Sequence, residues 1–220
     1  ITYDTPDVMV EWIKKFRSQG FKHFQLKVGG EDIDGDIERI QKAGAVLGPT
    51  ENLVADANGG WTQARAAKIV NVVKDINVYI EQPCATYEEC LAIRNRQTHP
   101  FVLDESIDSL NSLQRALSDR AMDCVNIKLS KIGGLTKSRV IRDVCAQNGI
   151  MMTIEDTACT DVTAGAIMAL AQSTPSRLRF SVTLATVKTG IKTASGSPSI
   201  ENGIAYANEK PGIGIEPITS

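Results

Sequence analysis

Short apolar, β-rich runs alternate with longer stretches of helical periodicity along most of the chain. The runs fall near residues 23–28, 52–56, 77–81, 101–103, 124–128, 151–155 and 178–183, and helical stretches fit near 33–47, 62–74, 87–96, 109–117, 135–148 and 161–173. That alternation is the pattern of βα units and a parallel sheet. A first helix is expected from Pro6, capped by Asp4 or Thr5, with Val8, Trp12, Ile13 and Phe16 on one face. Seven strands on this beat predict an α/β fold of TIM type, a (β/α)7β barrel one strand short. The missing strand, first in barrel order, is expected upstream of Ile1–Tyr3 or to include it. After Gly190 the texture changes to Ser, Gly, Pro and Asn with short β-like pieces such as Ser199-Ile200 and Gly203-Ile204-Ala205. The tail is not a barrel unit, and is expected either to pack on a neighbouring domain or to form a ragged surface end.

Three apolar runs end in an acid: Leu53-Val54-Ala55-Asp56, Val78-Tyr79-Ile80-Glu81 and Phe101-Val102-Leu103-Asp104, at intervals of 25 and 23 residues. One strand, one helix and two loops fill such an interval, so the carboxylates should stand at one height on neighbouring strands. Barrel strands end on one face, where active sites of this architecture lie. A single acid at a strand end is ordinarily just solvated, but three converging ones would repel each other without a cation between them. All-oxygen donors favour a hard divalent ion, Mg²⁺ first and Mn²⁺ second.

The same beat places Lys27 at the end of Phe24-Gln25-Leu26 and Lys128 at the end of Val125-Asn126-Ile127. Gln25 and Lys27 share one side of their strand, as do Asn126 and Lys128. In barrel order these two strands face each other across the mouth, so the two amines would flank one bound substrate. A lysine beside a cation is driven toward its neutral form and can act as a base. The metal would stabilise the enediolate left when a proton leaves the carbon next to a carboxylate.

Composition narrows the class. With 220 residues and 42% hydrophobic content the chain can bury a large core, and a net charge of −2 with dispersed basic residues points to neither a nucleic-acid nor a membrane partner. Apolar runs such as Ala164–Ala171 are too short to span a bilayer. Cys84, Cys90, Cys124, Cys145 and Cys159 have no metal-type spacing and an odd count, which predicts reduced packing residues and a cytoplasmic location. Ile1-Thr2-Tyr3 reads as the tail of a strand rather than a secretory signal, so the chain is expected to be part of a longer polypeptide.

The ordered motifs Phe24-Gln25-Leu26-Lys27-Val28-Gly29, Asp56-Ala57-Asn58-Gly59-Gly60-Trp61-Thr62, Ile80-Glu81-Gln82-Pro83, Asp104-Glu105-Ser106 and Asn126-Ile127-Lys128-Leu129-Ser130-Lys131-Ile132-Gly133-Gly134-Leu135-Thr136 resemble the barrel domain of the enolase superfamily. The specific likeness is to mandelate racemase and muconate lactonizing enzyme-like proteins. It implies that Asp56, Glu81 and Asp104 bind Mg²⁺, that Lys27 and Lys128 are the acid/base pair, and that an N-terminal capping domain is absent. It divides the chain into a catalytic barrel, 1–190, and a tail, 191–220, that would pack on that capping domain. Gln25, Asn58, Asn126 and Glu155 are the candidate substrate contacts.

Departures from the family pattern refine the expectation. Where the muconate lactonizing group has Lys-x-Lys, Gln25 replaces the first lysine. His23 and His99 are the chain's only histidines and neither closes a late strand, which disfavours a histidine base. No Asp or Glu occurs between Val162 and Ile200, so the Asp-x-Asp pair that dipeptide epimerases use is missing. Thr153-Ile154-Glu155-Asp156-Thr157 resembles relatives acting on proline and hydroxyproline derivatives, although Ala158 stands where those often carry an aromatic. Gly212-Ile213-Gly214 has no helix after it and is weak as a dinucleotide loop. Gly133-Gly134 reads either as an anion cradle or as a tight turn opening the next helix.

The first expectation is therefore a racemase or epimerase of an amino-acid or proline-like acid. The alternatives are a dehydratase of a hydroxy acid or hydroxyproline-like substrate, and a non-catalytic metal-binding barrel. The expected partner is a small-molecule carboxylate, and an open barrel edge would favour a homo-oligomer.

Overall fold

The computed structural model describes residues 1–157, 160–184 and 192–218; Ala158, Cys159 and the Gly190 boundary lie outside them. The chain forms two units, Ile1–Ser106 with Arg115–Asp123, and Ile107–Gln114 with Cys124–Ser220. In the first, β1 (His23–Lys27), β2 (Asn52–Asp56), β3 (Tyr79–Glu81) and β4 (Phe101–Leu103) pair in parallel, each with its neighbour in the chain. Helices α1 (Pro6–Ser18), α2 (Ile33–Ala45), α3 (Gln63–Val72) and α4 (Tyr87–Arg94) precede and separate them, and α5 (Leu110–Ser118), which follows β4, has its residues divided between the two units. In the second unit, β5 (Cys124–Lys128), β6 (Met151–Glu155) and β7 (Arg179–Val182) are again parallel, with α6 (Leu129–Ile132), α7 (Leu135–Gln147) and α8 (Asp161–Gln172) between them.

Local chemistry sets the helix starts. Asp32 accepts from the Gly35 amide at the start of α2, and Thr62 and Thr160 cap α3 and α8. Thr86 and Glu89 form a reciprocal capping box on α4, satisfying two amides that the helix itself leaves open. On α1, Thr5 holds the cap position without a side-chain bond and Pro6 pre-sets the first turn. Its buried face is Met9, Val10 and Ile13, of which only Ile13 belongs to the expected set: Val8 is exposed, while Trp12 and Phe16 stack half-buried with ring centroids 5.5 Å apart.

Period-two alternation on β1 buries Phe24 and Leu26 and leaves Gln25 and Lys27 half-exposed on the other side. Leu53, Ile80, Phe101 and Leu103 fill the first unit's core, and Val125, Ile127 and Ile154 that of the second. Ile1 bonds to β1 by its nitrogen to Gln25 O and by its carbonyl from Lys27 N.

The tail is ordered against its own unit. β8 (Ala194–Ser195) pairs with β11 (Glu216–Pro217), and β9 (Ser199–Glu201) with β10 (Ile204–Tyr206) around Asn202-Gly203. Both turn residues have positive φ, 50° and 73°, as a tight two-residue hairpin requires. Buried Asp161 accepts from the amides of Thr193 and Ala194 and the hydroxyls of Thr193 and Ser197. Gly165 of α8 lies so close to the tail that a Cβ there would stand 2.4 Å from Ile215 Cγ1. Gly212 and Gly214 are positive-φ turn positions of this tail, with no helix after them.

Candidate active site

Strand register brings Lys27, Asp56 and Glu81 to one height and sets Asp104 two residues further along, where the sequence spacing placed all three acids level. Lys27 is opposite Asp56 and Asp56 opposite Glu81; Asp104 lies two residues past Val102, the partner of Glu81. Asp56 and Glu81 are therefore the last residues of their strands, and Asp104 is the first residue beyond β4. All three are buried, at 1%, 2% and 1% exposure. Buried carboxylates must find donors or a cation. The Lys27 ammonium bonds to Asp56 Oδ2 and, at 2.8 Å, to Asn58 Oδ1. Gln25 Nε2 donates to Glu81 Oε2 at 2.8 Å. Asn58, held at φ 45°, donates its amide to Asp56 Oδ1 and its side-chain nitrogen to Glu105 Oε1.

Among the described residues, no three Asp, Glu, His or Cys side chains are gathered into a ready metal-binding group. Lys27 and Gln25 instead engage the carboxylates. The donor set nevertheless fits a hard divalent cation, since every candidate ligand is a carboxylate oxygen. Burial pushes the Asp56 carboxyl above its ordinary range, outweighing the opposing pull of Lys27, and an added positive charge would relieve that.

The second unit carries the other expected residues. Lys128 closes β5 opposite Glu155, the last residue of β6, with Nζ 3.8 Å from Oε1. Asn126 and Glu155 are buried. Asp156 ties this end together: it accepts from the Ser130 amide at 2.9 Å, from the Ser130 hydroxyl, and from Thr157 N. Lys131 lies on α6, the single turn directly after Lys128. Gly133, at φ 97°, ends that turn, and Gly134 opens α7, which realises the tight-turn reading of the glycine pair. His23 sits exposed at the start of β1, and His99 is buried with Nε2 3.2 Å from Val70 O.

Residues 8–219 match the family model for the enolase C-terminal domain-like family. The chain belongs to this family. Over 218 residues, 99% of its length, it is 48% identical to the cis-3-hydroxy-L-proline dehydratase of Roseibium aggregatum, covering 59% of that protein. It is 29% identical to the L-Ala-D/L-Glu epimerase of Bacillus subtilis over 98% of this chain and 60% of that one. A solved enolase-superfamily member from Roseovarius nubinhibens, complexed with magnesium, superposes on 99% of this chain and 59% of its own with a TM-score of 0.95 at 33% identity. The chain thus spans about three fifths of the length of these relatives.

Two buried polar residues went unremarked as individuals in the sequence. Asp36 of α2, 0% exposed, accepts from Gly29 N at 2.9 Å, Gly30 N at 3.1 Å, Trp61 Nε1 at 2.8 Å and Arg39 at 3.1 Å. It joins the loop after Lys27 to the loop after Asp56. The available signal was its place on the apolar stripe with Ile40 and Ala43, four and seven residues on. Trp61, expected simply to pack at the start of α3, is buried and is one of the Asp36 donors. The other residue is Gln82, visible only as the middle of Glu-Gln-Pro.

Proposed function

We propose that this chain is the catalytic barrel portion of a Mg²⁺-dependent dehydratase acting on a hydroxyproline-like acid. The observation that carries the reading is the 48% identity across 99% of the chain to a cis-3-hydroxy-L-proline dehydratase, against 29% to an epimerase. This reverses the order expected from the sequence, where racemisation or epimerisation came first. The missing Asp-x-Asp pair is in keeping with it.

Asp56, Glu81 and Asp104 would hold Mg²⁺, which when bound supplies charge stabilisation to the substrate carboxylate. One of Lys27 and Lys128 takes the proton from the carbon beside that carboxylate. The other delivers a proton to the departing hydroxyl, so that water leaves and a carbon–carbon double bond forms. Asn58, bonded to Lys27, orients that amine. Glu155 faces Lys128 across 3.8 Å and orients that amine. Gln25, on Glu81, orients a carboxylate rather than adding the second cation that Lys-x-Lys would provide. Asn126, on the same side of β5 as Lys128, is a substrate contact.

The test is ¹H NMR and mass spectrometry in D₂O on the intact protein with Mg²⁺ and cis-3-hydroxyproline, with Lys27→Ala and Lys128→Ala alongside. Loss of water that requires the metal and falls about 10²–10⁴-fold in either variant is expected. Deuterium incorporation with no water lost would refute dehydration in favour of epimerisation, the second reading, which the epimerase relative supports.

A further inference from the structure

We infer that Gln82 is a positioning residue for Asp104: its side-chain amide holds the third carboxylate and the loop behind it in place. The inference rests on the magnesium reading above.

In a regular parallel ladder, a residue that donates its N–H to one strand neighbour accepts at its C=O from the N–H two residues further along that neighbour. Gln82 N donates to Val102 O at 3.0 Å, so the next rung should run from Asp104 N to the Gln82 carbonyl. Gln82 adopts φ 33°, a left-handed conformation that a non-glycine residue rarely takes, and its carbonyl accepts instead from Gly59 N at 2.8 Å. The side-chain oxygen engages Asp104 N: Oε1 accepts from it and from Ser106 N, each at 3.2 Å.

The amide nitrogen is equally committed. Nε2 donates to Ser106 Oγ at 2.7 Å and to Cys84 O at 3.1 Å, and stands 3.6 Å from Cys90 Sγ. An amide side chain offers two acceptor sites and two donors, and all four are used here in a residue 0% exposed to solvent. Through its backbone Gln82 holds the loop after Asp56, through its side chain the loop that begins at Asp104, and it directly follows Glu81. All three candidate ligands are thus referred to one residue. Asp56 and Glu81 sit on strands, whereas Asp104, just past β4, depends on this amide for its backbone position.

Gln82→Met keeps the length and removes every polar contact of the side chain. On the intact protein, calorimetric Mg²⁺ titration should show the dissociation constant rising about 10–100-fold, the range typical when a partner orienting a metal ligand is lost. Metal-free hydrogen exchange should quicken at the Asp104 and Ser106 amides while strands β1 and β2 stay protected. Ser106→Ala, which leaves both amides on Oε1, should weaken Mg²⁺ by less than about 3-fold, a small part of the loss expected on removing the whole amide. Thr86→Ala, which loosens α4 nearby, should lower Tm without changing Mg²⁺ affinity.

If folded Gln82→Met binds Mg²⁺ within about 2-fold of wild type, well short of the usual 10-fold minimum, the inference is wrong. It is also wrong if exchange quickens everywhere alike. Should Gln82→Met fail to fold, Gln82→Asn takes its place under the same thresholds, since Asn accepts positive φ but is one methylene too short. A wild type that binds no Mg²⁺ refutes the metal reading and with it the positioning of a metal ligand; the metal-free exchange result would show in that case whether Gln82 still latches the loop.

Discussion

Replacing Asp36 by Ala should be among the most destabilising single changes in the first unit. The carboxylate is fully buried, and its loss would strand the Gly29, Gly30 and Trp61 donors together with the Arg39 guanidinium, which retains the Asp4 carbonyl and the Tyr3 ring face. An orphaned buried donor costs about 1–3 kcal/mol, and removing one partner of a buried ion pair about 3–5 kcal/mol. These terms share one small volume that a water molecule can partly refill, so they do not add in full. The expected loss is about 4–5 kcal/mol, which at ~2–4 °C per kcal/mol for a protein of this size lowers Tm by roughly 8–20 °C. Asp36→Asn retains one acceptor but turns an amide NH2 toward donors, and should lose about half as much. Urea denaturation followed by circular dichroism measures both. A loss below about 1 kcal/mol for Asp36→Ala would show that the four contacts exert no net hold on the two loops, contrary to the usual penalty for unpaired buried groups.

The Asp161 carboxyl is held down at about 2 by the Ser197 hydroxyl and the Thr193 and Ala194 amides, below its value near 3.9 when unfolded. A depressed folded pKa stabilises above the unfolded value and loses that contribution as pH falls from about 4 toward 2. After allowance for solvent screening this is worth roughly 1–2 kcal/mol, and Asp161→Asn should flatten that limb of a stability-versus-pH curve. Gly60→Ala would place a Cβ 2.3 Å from Gly29 O and 3.0 Å from Ala57 O. Backbone atoms cannot swing aside as a side-chain end can, so denaturant titration should show a loss of about 2–3 kcal/mol, and an unchanged midpoint would contradict the close approach. Thr86→Ala removes the α4 capping box and should cost about 1 kcal/mol by the same assay.

Much of the strand and helix order was legible because buried parallel strands are short apolar runs, and the helices between them carry clear periodicity and polar caps. Asp56, Glu81, Lys27 and Lys128 were readable for a related reason: a residue closing such a run is placed by the ladder itself, as the register of Lys27, Asp56 and Glu81 shows. The α1 face was legible only at Ile13, because Trp12 and Phe16 satisfy each other by stacking and leave the interior to Met9, Val10 and Ile13. The single turn α6 is too short to produce a period. The partners of Gln25 and Asn58, which are Glu81, Lys27 and Glu105, were not legible, because a polar group bonds to whatever partner the fold supplies and sequence spacing does not identify that partner. The Gln82 and Asp36 networks were hidden for the same reason.

Because Asp56 and Glu81 are the terminal residues of strands, their positions are set by backbone pairing and not by the length or composition of the loops beyond them. Insertions after Gly60 or after Ala85 could therefore reshape the rim without displacing either carboxylate. Asp104 has no such insulation. A segment exchanged between relatives that carries the stretch after β4 would have to bring a matching residue at 82, so these two positions should travel together when chimeras are built.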